Sequence, residues 1–224
     1  MHIAFDLELD KTNSLQYPSF RPEEKDYWIN RAISDIVKQR YTGNNPKKES
    51  VEETQKRRDD LRNITKNYIS TFFINDPLLN KPNGVFITLP KDYYYALEEE
   101  VVLNCLDCRN QPTTKRVIVR AITHDRYNKM VRDPFNVPDD TEVYSLPYED
   151  FRNELITGAP TSTVASYHLR YLRMPVAVNY FTSTSCDMSA HLHSEIITYA
   201  VNLAIENIES PRVVTQTSQI NRNE

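Results

Sequence analysis

The first third of the chain carries apolar residues at the spacing of α-helices. A first helix is predicted to begin at Pro22, because proline suits the first helical position and acidic residues follow it near the positive end of the helix dipole. Its apolar residues recur every three or four positions on one face: Ile29, Ile33, Ile36 and Val37. Gly43 suits the position after the last turn, so the helix is predicted to end just before it.

A second helix is predicted from Ser50, which forms a capping box with Glu53, to about Phe73. Its first half, VEETQKRRDDLRN, is charged nearly all round, and an apolar stripe begins only in the second half. Such a helix cannot bury its first half in its own core, so we expect it to project into solvent or against a neighbouring subunit. The residues predicted to form this subunit contact are Arg57, Arg58, Asp59, Asp60 and Leu61.

Beyond the breaker NDPLLNKPNG the pattern changes to the alternation of β-strands. An antiparallel sheet is predicted from five segments: VFITLP, EEVVLNC, KRVIVRAIT, SYHLRYLR and VAVNYF. A short helix is predicted in HDRYNKMVRDPF, and loops in NVPDDTEVYSLPYED and ITGAPTST. The N-terminal HIAFDLEL also alternates, which is compatible with an edge strand.

A last helix is predicted from about Ala190 to Ile208, and Pro211 prevents its continuation. The tail that follows is polar except for three apolar residues that cannot form a core by themselves: Val213, Val214 and Ile220. An extended peptide can add a strand to an exposed sheet edge, so we expect these residues to dock on a partner. The alternative is a frayed terminus without a role.

Together these patterns predict an α+β fold with a long α-helical hairpin, an antiparallel β domain, a closing C-terminal helix and an extended tail. Four divisions are predicted along the chain: an N-terminal extension (1–21), the helical hairpin (22–75), the β-rich domain with its closing helix (76–209) and the C-terminal tail (210–224).

Composition narrows the function classes. The formal net charge is only -4, which gives no general attraction to nucleic acid or to an anionic membrane. The chain has 3 glycines, far apart in sequence, whereas phosphate-binding loops and dinucleotide folds need clustered glycines. No run of apolar residues is long enough for a predicted membrane span. The 3 cysteines, an odd count, argue against a disulfide framework and favour a reducing compartment.

Cysteine and histidine residues raise the question of a metal site. Cys105 and Cys108 form a C-x-x-C pair, and Cys186 and His191 precede the last helix. These four residues are the candidate metal ligands. A catalytic zinc site needs three protein ligands and an open position, whereas a single C-x-x-C without a second pair is a weak signal. We therefore expect no metal and no other cofactor, with the cysteines packed as small apolar residues.

Several segments together resemble one family, the head-to-tail ring or adaptor proteins of tailed bacteriophages, especially those of crAss-like phages. The resemblance rests on segments that occur in the family's order and span most of residues 22–212: EEKDYWINRAISDIVKQRYTG, QKRRDDLRNI, LPKDYYYAL, AITHDRYNKMVRDPFNVP and CDMSAHLHSEIITYAVNLAIENIESPR.

The resemblance implies a structural virion protein, not an enzyme, that forms a homo-oligomeric ring in the phage neck and joins the portal to the tail. It implies a ring of twelve copies, with the portal protein and an adjacent neck or tail ring as partners. It also implies that genomic DNA passes through the lumen without specific binding, that no membrane is involved, and that the ring assembles in the cytoplasm of the bacterial host.

Two other function classes stay open on the residues alone. One is a metal-dependent zinc enzyme built on the candidate ligands above. The other is a host-side oligomeric interaction module whose long hairpin makes a coiled-coil contact. Zinc content would distinguish the first, and the mass of the assembled particle would distinguish the second.

Overall fold

A computed structural model describes most of the chain: residues 1–13, 19–42, 54–106, 111–133, 135–136, 138, 141–149, 151–158 and 162–207. The described residues form two compact units. The helical unit comprises the described residues of Met1–Ile64 and Pro175–Glu224, and the sheet unit comprises those of Thr65–Met174. The described part of the chain contains no helix that is both long and apolar enough to cross a membrane.

Five α-helices lie in the described residues: α1 (His2–Asn13), α2 (Pro22–Thr42), α3 (Gln55–Leu61), α4 (His124–Met130) and α5 (His193–Asn207). Seven strands accompany them: β1 (Thr65–Ser70), β2 (Gly84–Thr88), β3 (Tyr93–Leu106), β4 (Pro112–Ala121), β5 (Glu142–Pro147), β6 (Arg152–Ile156) and β7 (Thr163–Arg173). The predicted α+β class with a C-terminal helix is confirmed, and the sheet predicted as antiparallel is mostly so.

The core of the helical unit lies between α2 and α5, with α1 packed against α5. The helical spacing of the sequence places one apolar stripe of α2 in this core, which includes the predicted residues Ile29, Ile33, Ile36 and Val37. α1 contributes Phe5 and Leu9, which lie four positions apart on one helical face. The edge strand considered for HIAFDLEL is therefore wrong, because burial at this helical spacing decides the local structure.

The predicted second helix is much shorter than its sequence pattern indicated. α3 ends at Leu61, a 3-10 turn follows at Arg62–Ile64, and the chain then enters strand β1. Extension of a helix to Phe73 is wrong, because residues from Thr65 onward pair with β7 from Thr65↔Leu172 to Ser70↔Tyr167. Pairing with a distant strand has overridden the local helical spacing.

One seven-stranded sheet forms the second unit, in the order β1-β7-β3-β4-β5-β6-β2. All neighbouring pairs are antiparallel except β4 and β5, which are parallel. The connection between these two contains α4, as parallel neighbours require a crossover. Strands β2, β3, β4 and β7 overlap four of the predicted segments, whereas β5 and β6 lie where loops or no element were predicted. VAVNYF is not a strand, although its Asn179 forms an isolated bridge with Thr184.

The sheet curls so far that its two edge strands approach each other. The hydroxyl of Tyr68 in β1 donates a hydrogen bond of 3.1 Å to the carbonyl oxygen of Thr88 in β2. Lys66 of β1 lies 2.7 Å from the carboxylate of Asp92, which follows β2. The concave face encloses one apolar core: Ile87, Leu89, Val101, Leu103, Val117, Val143, Leu155, Tyr167, Leu169 and Tyr171. Curling lets the inward-facing side chains of a single sheet pack against one another.

Candidate assembly surfaces

The residues predicted to form the subunit contact divide between the core and the surface of the helical unit. Arg57, Asp60 and Leu61 are at most 3% exposed, whereas Arg58 and Asp59 are exposed. The prediction that this charged segment as a whole projects from the subunit therefore does not hold for the three buried residues. Of these five residues, Arg58 and Asp59 have side chains that a neighbouring copy can reach.

Asp60 is the centre of a buried polar network. The Nε atom of Arg40 donates to Asp60 Oδ2 at 3.0 Å, and the guanidinium also donates to Glu195. The Nε2 atom of His191 lies 2.8 Å from the other carboxylate oxygen of Asp60. Because Arg40 is in α2, Asp60 in α3 and Glu195 in α5, the network joins three helices. Because both oxygens of Asp60 have partners within the helical unit, this carboxylate stabilises the packing of the helices.

A second polar network fixes the hairpin of residues 179–184 to α2. The carboxylate of Asp26 accepts a hydrogen bond from the backbone N–H of Tyr180 at 2.8 Å and lies 2.7 Å from His2 Nε2. The side chain of Asn30 makes two hydrogen bonds to the backbone of Val178. These contacts hold the ring of Tyr180 stacked against that of His2, with centroids 5.2 Å apart.

The surface around this hairpin is apolar and open. Four of its large side chains are more than half exposed: Ile3, Leu7, Tyr180 and Phe181. Met1, Ile3, Val178 and Tyr180 are among the residues that line an open groove of about 530 Å³. Exposed apolar residues of this size in a fixed setting are typical of surfaces that bind another protein.

The convex face of the sheet carries charged side chains that form ion pairs with one another. Glu98 and Glu100 of β3 lie 2.9 Å and 3.2 Å from Arg170 and Arg116 on the neighbouring strands. These pairs lie on the outer surface of the sheet, where charged side chains are common at exposed strand positions. Glu99, between them in sequence, points to the opposite face because side chains alternate along a strand.

Glu99 is a carboxyl group inside the curled sheet. It accepts a hydrogen bond of 2.9 Å from the hydroxyl of Tyr167. Burial raises the pKa of Glu99 above its ordinary value, and the bond from Tyr167 opposes part of that rise. The folded chain therefore binds a proton at Glu99 more readily than the unfolded chain does.

The stability of the wild type relative to a Glu99→Gln variant is expected to increase as the pH falls from about 7 toward 4.5. The cost of the buried charge is fully present above the folded-state pKa and disappears as the carboxyl becomes protonated. Urea unfolding of both chains over this pH range measures the effect, and other titrating groups cancel in the difference. Parallel pH profiles for the two chains would contradict this account.

The candidate metal ligands are not assembled in the described part of the chain. Cys105 is buried in β3 of the sheet unit, whereas Cys186 and His191 belong to the helical unit. His191 is already hydrogen-bonded to Asp60, and burial raises the pKa of the Cys186 thiol, which disfavours the thiolate. No group of three or more metal-ligating side chains occurs among the described residues. Cys108 lies outside these residues, as do the proposed docking residues Val213, Val214 and Ile220.

Sequence reasoning missed the apolar surface on the helical unit. Ile3 and Leu7 were assigned to a possible edge strand, and Tyr180 and Phe181 to a strand of the sheet. The signal that could have found α1 is the four-residue spacing of Phe5 and Leu9, which predicts one buried and one exposed helical face.

Comparison with known proteins agrees with a structural role. Residues 2–210 match the family model for phage tail ring protein 3/4. Ring protein 4/5 of Bacteroides phage crAss001 is 24% identical over 221 residues, which cover 89% of this chain and 88% of the relative. The family is one of structural proteins and is not an enzyme family. With the match extending over most of its length, the chain belongs to the phage tail ring protein 3/4 family and is a structural component of the virion.

Proposed function

We propose that this protein forms a ring in the phage neck that joins the portal to the tail. The observation that carries the proposal is the family match over residues 2–210, supported by large exposed apolar side chains in both units. A subunit of a closed ring must bind a neighbour on each side, and a protein at a junction must also bind different rings above and below it. Each subunit therefore needs several separate binding surfaces. We further propose twelve copies, assembled in the cytoplasm of the bacterial host.

The modest acidity of the chain suits a ring through which DNA passes. Twelve copies with a net charge of -4 each carry about -48 in total. A lumen of the same sign repels the phosphate backbone and does not hold it. Genomic DNA is accordingly proposed to pass without specific binding.

Arg58 and Asp59 remain the proposed contributors of α3 to the subunit contact. An Arg58→Glu variant is expected to weaken ring assembly about tenfold while changing the free energy of unfolding by less than about 0.5 kcal/mol, since the side chain is exposed. Light scattering across a concentration series measures assembly, and urea unfolding measures stability. Arg57 is unsuitable for this test because it is buried. Assembly identical to the wild type would remove α3 from the interface.

The C-terminal tail is proposed to dock on the portal or on the neighbouring ring through Val213, Val214 and Ile220. Deletion of residues 212–224 is expected to leave ring formation and stability unchanged but to reduce incorporation into virions at least about tenfold, because the docking peptide is lost. Complementation of a phage that lacks this protein, followed by quantification in purified particles, measures the effect. A full-length chain with the three apolar residues replaced by serine is the matched control, because it separates the loss of these side chains from the shortening of the chain. Normal incorporation of the truncated chain would mean that the tail is a terminus without this role.

A further inference from the structure

The exposed face of α1 combines apolar and acidic side chains. Ile3 and Leu7 are 78% and 60% exposed, and Asp10 continues the same face at the next helical turn. Asp6 and Glu8 add two further acidic residues to the helix. Asp6 and Glu8 are ion-paired with Lys25 and Lys11, but the three acidic residues of α1 outnumber its one lysine, so the helix keeps a net negative charge beside its apolar strip.

A segment of the sheet unit carries the opposite charge. Arg126 and Lys129 of α4 and the following Arg132 are all exposed. The ion pairs formed among the described residues involve none of these three side chains, whereas arginines on the convex sheet face are paired with glutamates. A hydrogen bond with Thr123 and, as a smaller contribution, the charge of Arg126 lower the pKa of the neighbouring Asp125. Asp125 and Asp133 offset part of this charge, and the three basic side chains leave the segment with a net positive charge.

This basic segment also contains exposed apolar side chains. Val131 is 40% exposed, and Phe135, just beyond the last arginine, is 96% exposed. A phenylalanine left in water forfeits the favourable free energy of its burial. The α4 segment, residues 126–135, therefore matches the α1 face in both respects: apolar against apolar, and basic against acidic.

We propose that neighbouring copies of this chain bind head to tail, with the α1 face of one copy docked on the α4 segment of the next. The inference rests on the proposed ring function and specifies the surfaces that close the ring. A ring needs two different complementary patches on each subunit, because a single self-complementary patch gives only a dimer. Opposite charges at the border of the contact favour docking of the α1 face on the α4 segment and disfavour pairing of two identical surfaces.

Charge reversal tests the contact. One variant carries Glu8→Lys and Asp10→Lys on α1, and the other carries Arg126→Glu and Lys129→Glu on α4. Each alone is expected to raise the concentration needed for ring assembly at least about tenfold, because like charges then face each other. Combining all four substitutions in one chain is expected to restore assembly. Lys91→Glu, at an exposed position of the sheet unit outside the α4 segment, is the control and is expected to assemble normally.

A mixture of the two reversed variants gives the sharpest result. In an alternating ring every α1 face again meets an α4 segment of opposite charge, so the mixture is expected to assemble although neither variant does so alone. Rings that form equally well from each reversed variant would overturn this inference and leave the ring function intact. A wild-type chain that stays monomeric would instead contradict the ring function and this contact together.

Cysteine cross-linking provides a second readout in the full chain. A Leu7→Cys, Phe135→Cys double variant is expected to form a ladder of covalent multimers under mild oxidation, beyond any background from the native cysteines. Neither single variant is expected to do so, because each places only one of the two partners at the contact. Dimers formed as readily by Leu7→Cys alone would indicate a symmetric contact and would overturn the head-to-tail arrangement.

Discussion

Replacement of Asp60 by asparagine is expected to lower the free energy of unfolding by about 3 kcal/mol, because it leaves the guanidinium of Arg40 buried with one charged partner removed. Asp60 is fully buried and Arg40 is 2% exposed, so water cannot substitute for the lost carboxylate. Both oxygens of Asp60 are occupied, one by Arg40 and the other by His191. Urea unfolding followed by far-UV circular dichroism measures the effect.

Asp59→Asn is the matched control, since it makes the same chemical change one residue earlier on an exposed side chain. Its effect is expected to stay within about 0.5 kcal/mol. Equal stability of the two variants would show that the buried Asp60–Arg40 pair contributes no more to the free energy of unfolding than an exposed carboxylate does. Because Asp60 joins helices of the helical unit, the Asp60 variant is also expected to assemble poorly, as a consequence of lost folding and not of a lost subunit contact.

Gly84→Ala is expected to destabilise the sheet unit by about 2 kcal/mol through overpacking. A Cβ atom at this position would lie 2.5 Å from Glu154 Oε1 and 2.9 Å from the carbonyl oxygen of Lys81. Neither atom can move easily, because Glu154 is 2% exposed and its carboxylate accepts a hydrogen bond from the backbone N–H of Lys81. The first residue of β2 must therefore lack a side chain.

The neighbouring Asn83 supplies the control. Asn83 has a φ of 60°, a left-handed conformation that glycine adopts without strain. Asn83→Gly is therefore expected to be nearly neutral, although it changes the residue directly before Gly84. Thermal unfolding of both variants distinguishes a local clash at residue 84 from general sensitivity of this turn. Wild-type stability of Gly84→Ala would contradict the clash.

The sequence by itself determined the helices whose pattern is long and regular. In α2, an apolar face repeated over several turns, a proline at the first position and acidic residues beside it all indicate the same structure, and in α5 an apolar face with Glu195 in the first turn does so. The alternation in β2, β3, β4 and β7 likewise indicated their strands. These signals are local, since each follows from the period at which a single element exposes and buries its own side chains.

Only the tertiary structure decided where the second helix ends and which charged residues are buried. Residues 65–70 form a strand because β7, about a hundred residues later, pairs with them, and no local pattern contains that partner. Asp60 is buried and Asp59 is exposed because Arg40, His191 and Glu195 converge on one side of α3. A charged side chain can be buried only where distant residues neutralise it, so the sequence specifies the charges and the fold decides which of them reach the surface.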